Sequence, residues 1–459
     1  MSLFTDKPTL SRRVFMRVGL TSFSGYCLTP MLMPVNAHAE TPGKLRGEAD
    51  ACIFLFLRGG ASQLDTFDLK EGHWTPPEFD ARKIKGINIP YGLFPKISDQ
   101  LDDIVIARSV EAWESAHPRA VYYMQVGHAF SAAREKEMPS VGAVVSYEFL
   151  NKRKSSDYLP PYVALNFSNG SNGYLVEGGC LPQQAHPLSL ATGTDLPFVV
   201  DPKEKETFDR RWKMLRELSG QQGVQASKTA EQWASYYDSA FKVMSSPEIS
   251  KVLKIGPEDH QRYGASSLGD ACVLARNLLD ANAGTRYITI CHNGWDFHSN
   301  IFDKSQKSNH FTLCKELDQA FPALIEDLKK LKTPSGKSLF ERTFLVCTGE
   351  FGRTGGDLTV NKGRDHNRGA QSVLFAGAGV KGGRAFGATD DQGWKVVKPE
   401  WEKKRSIYTE DILATIYSQL GIDWNKEITN TPSGRAFAYL DVAGSTDFVD
   451  VGEIPTLFA

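Results

Sequence analysis

The chain has 459 residues, 41% of them hydrophobic and 23% charged, and a formal net charge of −1. This is the make-up of a folded globular protein, and so balanced a charge gives no argument for a basic nucleic-acid surface. The seven cysteines show no CxxC spacing, which argues against a thiolate metal site or redox motif.

Ser11-Arg12-Arg13-Val14-Phe15-Met16 places two arginines ahead of a mildly apolar, acid-free stretch that runs to about Val35. Ala37-His38-Ala39 follows as a small-x-small cleavage site, so residues 1–39 read as a twin-arginine export signal and Glu40 as the start of the mature chain. Pro30 and Pro34 interrupt the stretch, which argues against a spanning helix, and no later segment is long and apolar enough to be one. The expectation is a partner in the twin-arginine translocase, a periplasmic or extracellular location, and no stable membrane span after processing.

Short apolar runs over Ala51–Leu57, Ile104–Val110, Tyr162–Asn166, Tyr287–His292, Thr343–Thr348 and Ser372–Ala376 lack alternation, as strands covered on both faces do. Helical periodicity lies between them, at Ser140–Leu150, His310–Leu331 and Thr409–Leu420. The alternation predicts an α/β three-layer sandwich with a mainly parallel central sheet. Residues 40–459 read as one domain. Asp201–Ala283, dominated by charged, helix-forming sequence (Lys203–Leu218, Thr229–Leu253), reads as a helical insertion or lid.

Ligands on such a sheet sit beyond the carboxyl ends of the strands. Leaving the first strand, Arg58-Gly59-Gly60-Ala61-Ser62-Gln63-Leu64-Asp65-Thr66-Phe67-Asp68 offers hydroxyls and acids after a glycine turn, although Ser, Thr and Asp are favoured in turns anyway. After the second, Trp113-Glu114-Ser115-Ala116-His117-Pro118-Arg119 combines a hydroxyl, an imidazole and a guanidinium suited to a flat oxyanion. The same residues read equally as a helix start, with Ser115 as cap and Pro118 in the first turn. His292-Asn293-Gly294-Trp295-Asp296-Phe297-His298-Ser299-Asn300 gathers Asp and His, suitable ligands for Zn²⁺ or Mn²⁺. Gly349-Glu350-Phe351-Gly352-Arg353-Thr354 puts an acid beside a buried strand, and Gly363-Arg364-Asp365-His366-Asn367 pairs a metal ligand with an adjacent carboxylate that could orient it.

As a set, GGASQLDTFDLK, WDFHSN, GEFGRT and GRDHN resemble the secreted family known as domain of unknown function 1501, over Cys52 to about Leu420. That family looks like a branch of the alkaline phosphatase/sulfatase superfamily. The resemblance implies that Asp296, with His298 or Asn300, stands at one metal-binding element, Glu350-Phe351-Gly352 at the usual Asp-His-Gly, and His366 at the last ligand. Phe351 cannot bind a metal, so one site of the usual two should be lost. The sulfatase Cys/Ser-x-Pro-x-Arg pattern is only approached at Ala116-His117-Pro118-Arg119.

The expected function is hydrolysis of a phosphate or sulfate ester, in a small molecule or a cell-surface polymer, assisted by one divalent ion (Zn, Mn, Mg or Ca). Its expected ligands are Asp296, His298, Glu350 and His366. Thr66, Ser62, Ser115 and His117 are the candidate catalytic residues, and Arg58, Arg119, Arg353 and Arg364 the candidate anion-binding ones. The alternative is a non-catalytic binding or assembly protein on a degenerate scaffold.

Overall fold

A computed structural model describes residues 45–193, 203–221, 241, 243–246, 248–441 and 450–459. The predicted export signal, and most of the predicted helix over Thr229–Leu253, lie outside the described residues. Eight strands form one sheet: β1 (Ala51–Arg58), β2 (Ile104–Val110), β3 (Tyr162–Leu165), β4 (Leu188–Leu190), β5 (Tyr287–Asn293), β6 (Thr343–Thr348), β7 (Gln371–Ala376) and β8 (Arg384–Phe386). Their order across the sheet is β8-β2-β7-β6-β1-β5-β3-β4. Every pairing is parallel except those of β7, which runs antiparallel to both β2 and β6.

Because successive side chains on a strand point to opposite faces, an unbroken apolar run covers both. In β1, Ile53, Leu55 and Leu57 join the core on one face, with α4 (Ser267–Asp280) and α5 (His310–Lys330). Cys52, Phe54 and Phe56 join the core on the other, with α2 (Val141–Leu150), α6 (Thr409–Gln419) and part of α1 (His117–Val126). Each fully buried Leu or Phe contributes roughly 1.5–3 kcal/mol. The result is the expected three-layer α/β sandwich.

Helix starts follow local chemistry. Ser140, Ser266 and Asn309 cap α2, α4 and α5 by accepting the N–H three residues on. Ser115 does not cap α1; Ala116 holds that position, with Pro118 in the first turn. Within the predicted insertion, Lys205–Gln221 is helical (α3), as are Ile249–Val252 and Pro257–Tyr263. The segment's last helix, α4, is a layer of the sandwich: Leu268, Val273, Leu274 and Leu278 pack in the sheet core. The edge strands β4 and β8, only three residues each, carry too short a pattern to be legible in the sequence.

Candidate metal centre

The parallel strands bring their carboxyl ends to one edge. Arg58 ends β1 in register with Asn293 at the end of β5. Glu350 follows β6, His117 follows β2, and Asp296 and His298 follow β5. His366 arrives differently. It precedes β7, and because that strand is antiparallel its amino end lies at the carboxyl edge of its neighbours. A two-residue ribbon then pairs His366 with Arg353 and Asn367 with Gly352. The loops approach very closely. Gly59, at φ 109°, would place a Cβ 2.5 Å from the Asp296 amide nitrogen, and a Cβ on Gly363 would lie 2.1 Å from the His298 carbonyl carbon.

Around this edge, His117, Asp296, His298 and His366 present one ligand atom each, all within 4.8 Å of one another. Asp296 Oδ1 is the hub. His117 Nε2 lies 3.0 Å from it, His298 Nε2 3.1 Å and His366 Nε2 3.6 Å. Each imidazole is held from behind through its other nitrogen. His117 Nδ1 donates to Glu350 Oε1 (2.6 Å), His298 Nδ1 to Asp365 Oδ1 (2.7 Å) and His366 Nδ1 to the Ser115 carbonyl (2.6 Å). These acceptors fix the tautomer, so all three Nε2 lone pairs turn inward.

Two observations test whether a cation fits. His298 Nε2 and His366 Nε2 stand 2.9 Å apart, where two lone pairs would repel unless a positive charge lies between or beside them. His117 Nε2 is buried and makes no hydrogen bond of good geometry. Three imidazoles and a carboxylate, each imidazole oriented by an oxygen acceptor, are a donor set for a borderline divalent ion. The field favours positive charge there. Burial alone would raise the Asp296 carboxyl, yet its close contacts with His117 and His366 and the Arg353 guanidinium hold it well below the ordinary carboxylate range. Burial likewise disfavours a charged His117, but Asp296 and Glu350 raise its pKa above the usual value.

The remaining predicted residues differ in how they relate to this cluster. Glu350 stands behind His117 rather than in the ligand ring. Its carboxylate accepts the Gly59 N–H at 3.0 and 3.1 Å and the Gly60 N–H at 3.1 Å. Asp365 orients His298, not its neighbour His366. Phe351 is buried, its ring 4.8 Å from that of His117 and 4.7 Å from that of His366. It fills the space beside both ligands with an apolar ring.

Arg353 is buried and donates to Asp296 Oδ1 (2.6 Å) and to the carbonyls of Gly59, Gly60 and Arg364. Arg364 is fully buried against Asp65 and the carbonyls of Thr354 and Gly356. Arg58 is tied to backbone carbonyls. Only Arg119 is exposed, paired with Glu114 at 3.0 Å. These arginines build the site; burial keeps Arg58, Arg353 and Arg364 from solvent.

Ser62 and Thr66 are each 1% exposed, with Ser62 Oγ on Asp65 (2.6 Å) and Thr66 Oγ1 on the Ser62 carbonyl (2.7 Å). Ser115 is exposed, and among the described residues nothing bonds its hydroxyl. The sequence offered no hint of Asn172, whose Nδ2 lies 3.3 Å from Asp296 Oδ2. It sits in a polar turn with no periodicity or motif to mark it.

Fold and site together define an α/β sandwich with a histidine-rich cluster, able to hold a metal ion, at the carboxyl edge of its sheet. The chain belongs to the family described as Protein of unknown function (DUF1501), whose profile matches residues 49–446. No curated protein matches the sequence. Among solved structures it is similar to the PsFucS1 sulfatase from Pseudoalteromonas sp. (12% identity, 89% of this chain and 74% of that one, TM-score 0.40). It is also similar to the phosphonate monoester hydrolase SpPMH from Silicibacter pomeroyi (10%, 82% and 74%, 0.37). A third is a protein in the alkaline phosphatase superfamily from Vibrio parahaemolyticus (9%, 83% and 69%, 0.34). At such identities the chemistry of the site rests on its own geometry.

Proposed function

We propose that this is an exported hydrolase of a phosphate or sulfate ester that works with one divalent ion. The observation that carries the reading is the convergence of His117, His298 and His366 Nε2 on Asp296 Oδ1, each imidazole held from behind by an oxygen acceptor. When bound, the ion would supply Lewis-acid polarisation of the ester oxygen. The charge of the centre suits an anion once a divalent ion is bound. Counted with the guanidinium groups of Arg58 and Arg353, the carboxylates of Asp296, Glu350 and Asp365 leave one net negative charge, Asp65 and Arg364 cancelling. A divalent ion turns that to one net positive charge.

Ser115 is the nucleophile this geometry favours. Its carbonyl is bonded to His366, it precedes the amino end of α1, and its hydroxyl is exposed and uncommitted, whereas those of Ser62 and Thr66 are buried and engaged. Its oxygen would bond to phosphorus or sulfur as the alcohol leaves with a proton. Water would then cleave the seryl ester. The Arg12-Arg13 signal supports action outside the cytoplasm, on a soluble ester or a cell-surface polymer.

Elemental analysis of the purified protein, with turnover of an aryl phosphate and an aryl sulfate, tests the reading. One equivalent of metal is expected, lost in His366→Ala. Ser115→Ala should keep the metal and lose turnover. Two equivalents, or full retention in His366→Ala, would overturn the assignment.

A further inference from the structure

Arg58 is 5% exposed and, among the described residues, no carboxylate lies within ion-pair distance of it. A buried guanidinium without a counter-charge is costly, so its partners carry information. Nη1 donates to the Ser168 carbonyl (2.5 Å) and to Asn293 Oδ1 (3.2 Å), and Nη2 to the Gly173 carbonyl (2.8 Å). The guanidinium carbon also sits 5.3 Å from the centre of the Phe167 ring. Every contact but Asn293 lies on the loop that leaves β3, and the two loop carbonyls bracket one short turn.

That turn is closed by reciprocal backbone bonds between Gly170 and Gly173 (3.0 and 3.1 Å). Its Asn172 projects the amide that meets Asp296 Oδ2. Asp296 is thereby held on both oxygens, by Arg353 on Oδ1 and by Asn172 on Oδ2. Arg58 and Asn293 are register partners on β1 and β5, so they share a sheet face, and the clasp is anchored to the two central strands.

We propose that Arg58 is a positioning residue of the metal centre: it locks the Ser168–Gly173 turn so that Asn172 sets the orientation of the Asp296 carboxylate. The inference rests on the single-metal reading above. It assigns Arg58 to the ligand geometry and not to substrate binding. Partners that orient a ligand from behind typically matter 10–100-fold in metal affinity.

The test is a Co²⁺ titration of the purified protein, followed in the visible spectrum, which reports ligand geometry. Asn172→Ala should weaken Co²⁺ about tenfold and shift the ligand-field bands. Arg58→Met should do the same, and the double variant should be no weaker than the more affected single one, since both break one chain of contacts. Asn172 is on the surface of the turn, so its variant decides the matter if Arg58→Met does not fold. Unchanged Co²⁺ affinity and spectrum in Asn172→Ala overturn the proposal. So does an Arg58→Met protein that binds Co²⁺ normally but loses inorganic phosphate. Failure of the unsubstituted protein to take up Co²⁺ overturns the metal reading itself, and this inference with it.

Discussion

Glu350→Gln probes the centre without altering its shape. The native carboxylate accepts from three directions at once: His117 Nδ1, the Gly59 N–H and the Gly60 N–H. A glutamine amide has one oxygen. If that oxygen faces His117, the amide NH₂ meets the two glycine N–H groups, and a buried donor left unpaired costs about 1–3 kcal/mol of stability. If the NH₂ instead faces His117, the imidazole must carry its proton on Nε2 and can no longer offer that lone pair inward. Either branch weakens the centre. The expectation is a loss of 10–100-fold in metal affinity, or about 1.4–2.7 kcal/mol, together with lower resistance to urea. Asp365→Asn is the internal control. Asp365 also orients a ligand, but its side chain is 60% exposed, so water can replace the lost acceptor on His298. Its effect should stay below about tenfold. Competition against a chelator of known affinity, with urea titration of the same samples, measures both quantities. Wild-type affinity in Glu350→Gln, or a larger loss in Asp365→Asn, would refute the division between a buried and an exposed orienting carboxylate.

Asp65→Ala should cost about 3–5 kcal/mol in a urea titration, because it strands the fully buried Arg364 charge; a loss under 1 kcal/mol would return Arg364 to the anion-binding set. Glu410 is buried, with Tyr123 and Trp113 donating to it, and burial outweighs those bonds to push its pKa up to about 7. A carboxyl raised in the folded state stabilises fully below its unfolded value near 4.5 and loses that contribution as pH rises through 7. Stability should therefore fall between pH 5 and 8 by on the order of 3 kcal/mol from this group, and Glu410→Gln should flatten that slope; an unchanged slope refutes the assignment. Replacing Arg12 and Arg13 with Lys should leave unprocessed precursor in the cytoplasm, seen as the larger band in a cell fractionation, and normal processing would point to another export route.

The central strands were legible because burial on both faces leaves no charged residue in Ala51–Leu57, Tyr287–Cys291 or Thr343–Thr348. The site was partly legible for the same reason: where those runs stop, Asp296, His298 and Glu350 appear at once, and parallel strands must put such ends together. The chain order of β-strands and helices needed no coordinates. What only the tertiary structure decided is which nitrogen faces which oxygen. Local sequence shows that Asp365 adjoins His366, but the ribbon carrying them turns Asp365 toward His298 and leaves His366 to the Ser115 carbonyl. Local sequence shows four candidate arginines, but three are buried against carbonyls and acids, some of them drawn from loops up to several hundred residues away. The antiparallel turn of β7 and the approach of Asn172 arise in the same way. They are set by the packing of segments that never meet in the chain, and no spacing of residue types records where a side chain points once those segments have met.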